Sequence, residues 1–166
     1  MSLHSQGQHT HNGETGKYLV PLICMVSLFF LFGFVTVMND ILIPHLKGLF
    51  NLSNLQSMLV QSCFFGAYFI MSLPAGWLLS KTGYKNGIVI SLIVVGMGLL
   101  LFIPASMVIS YPFFLFALFV IGSGITVLQV AANPYLSLLG PIEKGSTRIN
   151  LAGGFNSLAT TIGPLI

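Results

Sequence analysis

Apolar runs long enough to cross a bilayer as helices, at about 20 residues each, recur along this chain with only short polar breaks between them. They fall roughly at Leu19–Ile43, Ser57–Leu79, Gly87–Met107, Tyr111–Tyr135 and from Leu151 onward. With 55% hydrophobic and 5% charged residues, against about 25% charged in a soluble domain, the chain reads as an all-α integral membrane protein. Four complete transmembrane helices and the start of a fifth are expected. Gly163, Pro164, Leu165 and Ile166 fall inside an apolar span with no polar flank, the pattern expected of a truncation.

Ahead of the first run, residues 1–17 carry His4, His9 and His11 among Ser, Gln, Thr, Asn and Gly. With almost nothing to bury, this stretch reads as a disordered tail. Its histidines lack a Cys or carboxylate constellation, so no metal site is expected. Cys24 and Cys63 both lie in apolar runs and read as small buried hydrophobes. Ser53 or Asn54 is placed to cap the second helix, and Pro104 and Pro112 bracket a very short third connection. If the tail is cytoplasmic, Lys17, Lys81, Lys85, Lys144 and Arg148 share its side and Lys47 alone lies outside, as the positive-inside rule requires.

Asp40 interrupts the first run. A charge near mid-bilayer costs about 2.5–3.5 kcal/mol on insertion scales, so an intramembrane acid marks an ion or substrate pathway by default. Other polar residues on the spans form stripes. Thr36, Asn39 and Asp40 lie at i, i+3, i+4, and Thr126, Gln129 and Asn133 at i, i+3, i+7. The second span adds Ser57, Gln61, Tyr68 and Ser72, and the fifth adds Asn156 and Thr160. Ser57, Ser72 and Thr160 read as interhelical glue. The carboxylate, amides and hydroxyls around Asp40 and Gln129 are the groups that hydrogen-bond sugar hydroxyls in both senses. No HExxH, phosphate loop or converging nucleophile and base appears, which argues against an enzyme.

Two motifs bear on architecture. The loop Gly76-Trp77-Leu78-Leu79-Ser80-Lys81-Thr82-Gly83-Tyr84-Lys85 resembles the loop signature of the major facilitator superfamily at Gly76, Lys81, Gly83 and Lys85, with Ser80 where aspartate is usual. Thr36-Val37-Met38-Asn39 with Pro44 matches Thr126-Val127-Leu128-Gln129 with Pro134, as inverted three-helix repeats would place the first and fourth spans in equivalent cavity-lining positions.

The strings Phe29-Phe30-Leu31-Phe32-Gly33-Phe34, Asn39-Asp40-Ile41-Leu42-Ile43-Pro44 and Gln61-Ser62-Cys63-Phe64-Phe65-Gly66-Ala67-Tyr68 resemble the fucose/glucose/galactose permease family of that superfamily. Ala131-Ala132-Asn133-Pro134-Tyr135 and Arg148-Ile149-Asn150-Leu151 with Asn156 extend the match to nearly all of the chain after the tail. The resemblance implies the amino-terminal portion of a twelve-span bacterial inner-membrane transporter that moves a sugar with a cation, its bundle starting at residue 18. It implies partners in a hexose, the lipid bilayer and the remaining transmembrane helices, with no nucleic acid and no cofactor beyond the coupling ion, H+ or Na+.

Carried over by position, the resemblance implies ion coupling at Asp40 and places Gln129 and Asn156 at the sugar. The polar stripes add Asn39 and Asn133 as expected sugar ligands, with Thr36, Gln61, Tyr68 and Thr126 expected to line the cavity. Members that carry fucose have glutamate at the position of Gln129, whereas the glucose/galactose branch has glutamine, which favours glucose, galactose or a related hexose. Asp40 is then the only acid in the spans, expected to be buried, to bind a proton from outside and to release it inside, with Gln129 as its partner across the cavity. The competing expectation is a small four-span channel or assembly protein complete at this length.

Overall fold

The computed structural model describes residues 9–166, with side chains from residue 16 onward except at 142. Among them are five α-helices: α1 His9–Phe50, α2 Asn54–Thr82, α3 Tyr84–Val108, α4 Tyr111–Leu138 and α5 Gly145–Ile162. The expected disordered tail lies outside the described residues over 1–8. From His9 the backbone is already helical, so α1 begins before the boundary at residue 18 read from the sequence. The four apolar helices long enough to cross a membrane agree in number with the complete spans expected. Their ends do not, because hydropathy registers the hydrocarbon and a helix continues past it: α1 reaches Phe50 and α5 begins at Gly145, not Leu151.

The connections are short and chemically specified. Ser53 caps α2 in a reciprocal box, its hydroxyl accepting from the Gln56 N–H while the Gln56 side chain accepts from the Ser53 N–H. Asn51 adopts a left-handed conformation in the same turn. A single residue, Gly83, joins α2 to α3 at φ +80° and donates its N–H to the Leu79 carbonyl, a conformation that glycine takes without steric cost. Ile109 and Ser110 make the third connection. At the α4–α5 connection the Arg148 guanidinium donates to the carbonyls of Leu136 and Pro141, each of which also accepts a backbone N–H, so one side chain ties the end of α4 to the turn that follows it.

Helix packing has an internal symmetry. α1 lies against α5 to nearly the same extent as α4 lies against α2, and α3 makes the most extensive contact, again with α4. Glycines close these crossings. A Cβ on Gly122 of α4 would stand 3.0 Å from the Phe64 carbonyl oxygen of α2, and one on Gly33 of α1 would stand 2.6 Å from the Asn156 carbonyl oxygen of α5. Gly124 meets the Val95 backbone nitrogen of α3 at 2.9 Å in the same sense. Small residues let helices approach closely in lipid, where dispersion replaces the hydrophobic effect as the packing force. The result is a bundle centred on α4, with 61% of its most apolar window buried against 11% for α1.

Gly83→Ala is expected to destabilise the bundle by about 1–3 kcal/mol through the strain of a side chain at positive φ. Gly76→Ala, inside α2 with a new Cβ that meets nothing within 4 Å, leaves stability unchanged or raises it by up to about 1 kcal/mol. Thermal midpoints of the two detergent-solubilised variants separate these cases, and equal midpoints would contradict the assignment.

Candidate functional site

The polar residues singled out on α1, α2, α4 and α5 resolve into two levels along α1. At the upper level Asp40 Oδ1 accepts from Gln61 Nε2 of α2 at 3.3 Å, and one turn below, the Tyr68 hydroxyl lies beside Thr36. Thr36 and Asp40 on α1 thus meet Gln61 and Tyr68 on α2 by the i, i+4 and i, i+7 spacings of facing helices. Pro44 has no N–H, so the backbone carbonyl of Asp40 lacks its usual helical donor and adds a second open acceptor beside the carboxylate.

At the lower level, Gln129 of α4 and the Phe29 and Phe32 side chains of α1 line a small gap with Leu28, Leu128 and Ala132. The Phe29 carbonyl there accepts from Asn156 Nδ2 of α5 at 2.9 Å. Asn156 is held because Gly33, one turn on, lets the α5 backbone touch α1.

Several expectations are corrected. Asp40 is exposed rather than buried, since α1 contributes it to an open flank of the bundle. Its partner is Gln61, not Gln129, because Gln129 faces the Phe29–Phe32 level of α1. Asn39 does not share Asp40's environment: consecutive helical residues diverge by about 100°, and Asn39 is part of the wall of an apolar cavity, 6% exposed, with both amide atoms sealed off and neither hydrogen-bonded. Thr126 is buried with its hydroxyl donating to the Gly122 carbonyl at 2.7 Å, so it has no donor to offer a ligand. Asn133, one turn beyond Gln129, is exposed.

Ser57, Ser72 and Thr160 bond to their own helices' carbonyls, not across interfaces. Cys24 is exposed rather than buried, and Cys63 is half-buried, its thiol within reach of the Leu115 carbonyl. In the loop motif, Gly83 is demanded by its backbone conformation, Gly76 meets open space, and Lys81 lies 4.0 Å over the Trp77 ring while Lys85 is exposed. Two structural residues went unassigned in the sequence reading: Gly33, signalled only by a small residue inside an aromatic run, and Arg148, signalled by a cation just after a helix end.

The Major Facilitator Superfamily profile matches residues 25–166. A glucose/galactose transporter of Brucella abortus is 54% identical over 157 residues, covering 95% of this chain and 38% of that protein. The L-fucose-proton symporter of Escherichia coli is 42% identical over 150 residues, covering 90% of this chain and 34% of the symporter. A crystal structure of the E. coli fucose:proton symporter superposes with a TM-score of 0.77 at 39% identity, over 89% of this chain and 35% of that one. The chain therefore spans little more than a third of the length of these relatives.

The Gly33 crossing yields a direct test. Gly33→Ala is expected to force α1 from α5 and cost about 1–3 kcal/mol, in the range of overpacking. Adding Asn156→Ala does not relieve the loss, because the nearest obstruction is the backbone carbonyl of residue 156. Full recovery of the thermal midpoint in the double variant would place the clash in the side chain instead.

Proposed function

The chain belongs to the major facilitator superfamily, and from that premise we propose that it is the amino-terminal part of a cation-coupled sugar symporter importing a hexose such as glucose or galactose by alternating access. The observation that carries this reading is the Asp40–Gln61 pair, the one carboxylate on the spans held by an amide from a second helix. It is supported by the similarity to glucose/galactose transporters and a fucose-proton symporter.

In this reading the protein resides in a bacterial inner membrane with its amino terminus in the cytoplasm, the side to which Lys17, Lys81, Lys85, Lys144 and Arg148 belong. The remaining transmembrane helices supply the other wall of the sugar pathway. Gln129 and Asn156 are the sugar-facing amides, and Asn133 and Tyr68 flank them. An amide both donates and accepts, which suits hydroxyls whose orientation differs from one sugar carbon to the next. Glutamine in place of glutamate at 129 leaves recognition neutral there and assigns the charge change of the cycle to Asp40 alone.

Asp40 performs the coupling. With a proton bound it carries no charge and crosses between the outward and inward arrangements with the sugar; once the proton leaves inside, the empty carrier returns. Gln61 serves both states, since its N–H donates to the carboxylate and its carbonyl accepts from the protonated acid. Sodium is the other coupling ion compatible with this corner, where the carboxylate and the carbonyl left free by Pro44 provide hard oxygen ligands.

Asp40→Asn, in a polypeptide of the relatives' length, is expected to abolish accumulation of labelled hexose against its gradient in vesicles while retaining sugar counterflow. Unimpaired accumulation would remove Asp40 from coupling. An imposed pH gradient in sodium-free buffer drives the wild type if the ion is a proton; dependence on added sodium selects the alternative. Gln129→Leu is expected to raise KM for the hexose about tenfold, the equivalent of about 1.4 kcal/mol for a lost hydrogen bond, and an unchanged KM would exclude Gln129 from the sugar site.

A further inference from the structure

α1 touches α2 far less than it touches α5, and three polar pairs mark the contact. Lys47 Nζ donates to Asn54 Oδ1, Gln61 Nε2 donates to Asp40 Oδ1, and the Tyr68 hydroxyl lies beside Thr36. On α2 these partners fall at 54, 61 and 68. Seven residues close two helical turns to within about 20°, so the three form one line along α2. Lys47 follows Asp40 on α1 by the same seven residues. The seam thus carries an acid and a cation on one face of one helix, each bonded to an amide of α2.

The two charges lie within electrical reach of each other. Their backbone positions differ by a rise of roughly 10 Å, and a helical side chain leans toward the N-terminus of its helix, which for Lys47 is the direction of Asp40. Its four methylenes let the ammonium travel along the apolar surface of α1 once it leaves Asn54. A single charge still acts across the gap that remains, because hydrocarbon screens far less than water. Among the described residues no other Asp, Glu, Lys or Arg lies along this seam. His45 lines the apolar cavity with Leu99 and Phe102 of α3. The Cys63 thiol and the Tyr111 hydroxyl are turned to the carbonyls of Leu115 and Gln56. Lys17, Lys81, Lys85, Glu143, Lys144 and Arg148 stand toward the other ends of the helices.

That cation answers a difficulty in the proposed cycle. With its ion bound, Asp40 is compensated and the loaded carrier crosses without a naked charge. The sugar-free carrier has to return with an ionised carboxylate, which hydrocarbon penalises. Resting on the symporter reading, we infer that Lys47 is the counter-charge of Asp40 on that return: its ammonium leaves Asn54 and stands in for the coupling ion until the next one binds outside. Lys47 touches neither ion nor sugar and acts through Asp40, so it is a positioning residue. A cation held in a permanent salt bridge with Asp40 would compete with the coupling ion at every step; one that rests on a neutral amide two turns away does not.

The test uses a polypeptide of the relatives' length, reconstituted in vesicles and supplied with labelled hexose. In Lys47→Met, gradient-driven net uptake is expected to fall about tenfold, with KM for the hexose within about twofold of wild type. Counterflow, which cycles only the loaded carrier, is expected to stay within about twofold of wild type, and Lys47→Arg to restore at least about half of the net rate. A lysine that only anchors α1 among headgroups would lower counterflow and net uptake together, and that result overturns the inference, as does an unchanged net rate in Lys47→Met. Dependence on Asp40 is read in the Asp40→Asn variant, where no carboxylate needs a counter-charge. Its downhill uptake is expected to be the same within about twofold with and without Lys47→Met. A further loss of about tenfold there shows independent, additive effects and overturns the inference too. A wild type with no gradient-driven accumulation removes the symporter reading itself, whereas a wild type that accumulates hexose beside an equally active Lys47→Met removes this inference alone.

Discussion

A polar group inside hydrocarbon has to find its partner within the protein, and that requirement organises the bundle at every scale. Backbone amides meet it by forming long helices. Hydroxyls meet it locally: those of Thr36, Ser57, Ser72, Ser91, Ser123, Thr126 and Thr160 each bond to a carbonyl three or four residues back. Such bonds consume the donor and leave those residues as spacers. Amides and carboxylates cannot be satisfied so cheaply, because their two polar atoms reach beyond their own helix. Asp40 finds Gln61, Asn156 finds the Phe29 carbonyl, and Asn39 finds no partner among the described residues.

The same distinction explains which parts of the fold were legible in the sequence. Four complete spans, their order and their short connections follow from run length, the Ser53 cap and the proline pair, because each is a local property. Helix ends beyond the hydrocarbon at Phe50 and before Leu151 were not legible, since a helix pays no apolar signature for the turns it extends into the headgroups. Stripe membership was legible but rotation was not. Thr36, Asn39 and Asp40 share a nominal face, yet a half-turn uncertainty about where α2, α4 and α5 sit decides whether each one meets an amide, a cavity or its own backbone. Gln61 was visible as a polar residue on α2; that it reaches Asp40 depends on how two helices cross, which no single span encodes.

The glycine crossings supply that missing rotation. Gly33 fixes α5 on one flank of α1, and Gly122 fixes α2 on the matching flank of α4, so each polar stripe is turned by a contact one or two turns away from it. Asn156 illustrates the dependence: its carbonyl is the surface that Gly33 accommodates, and its amide is the donor to Phe29. The motif shared by α1 and α4 thus has two halves. Thr-Val-apolar-amide with a later proline is the half written in the sequence, and a glycine facing a partner's backbone is the half that only the packing reveals.

The two levels along α1 have a consequence for coupling in the proposed symporter. Eleven residues separate Phe29, where Gln129 and Asn156 gather, from Asp40, a rise of roughly 16 Å along a helix. A sugar held by those two amides cannot touch the carboxylate directly. Ion and sugar must therefore communicate through the element they share, α1, whose contact with α2 at Asp40 depends on the carboxylate's protonation and whose contact with α5 at Phe29 depends on Asn156. A helix gripped at two levels by partners on different helices transmits a change at one grip as a tilt or rotation at the other. In such an arrangement, coupling is a property of how firmly α5 is seated on Gly33 as much as of the acid itself.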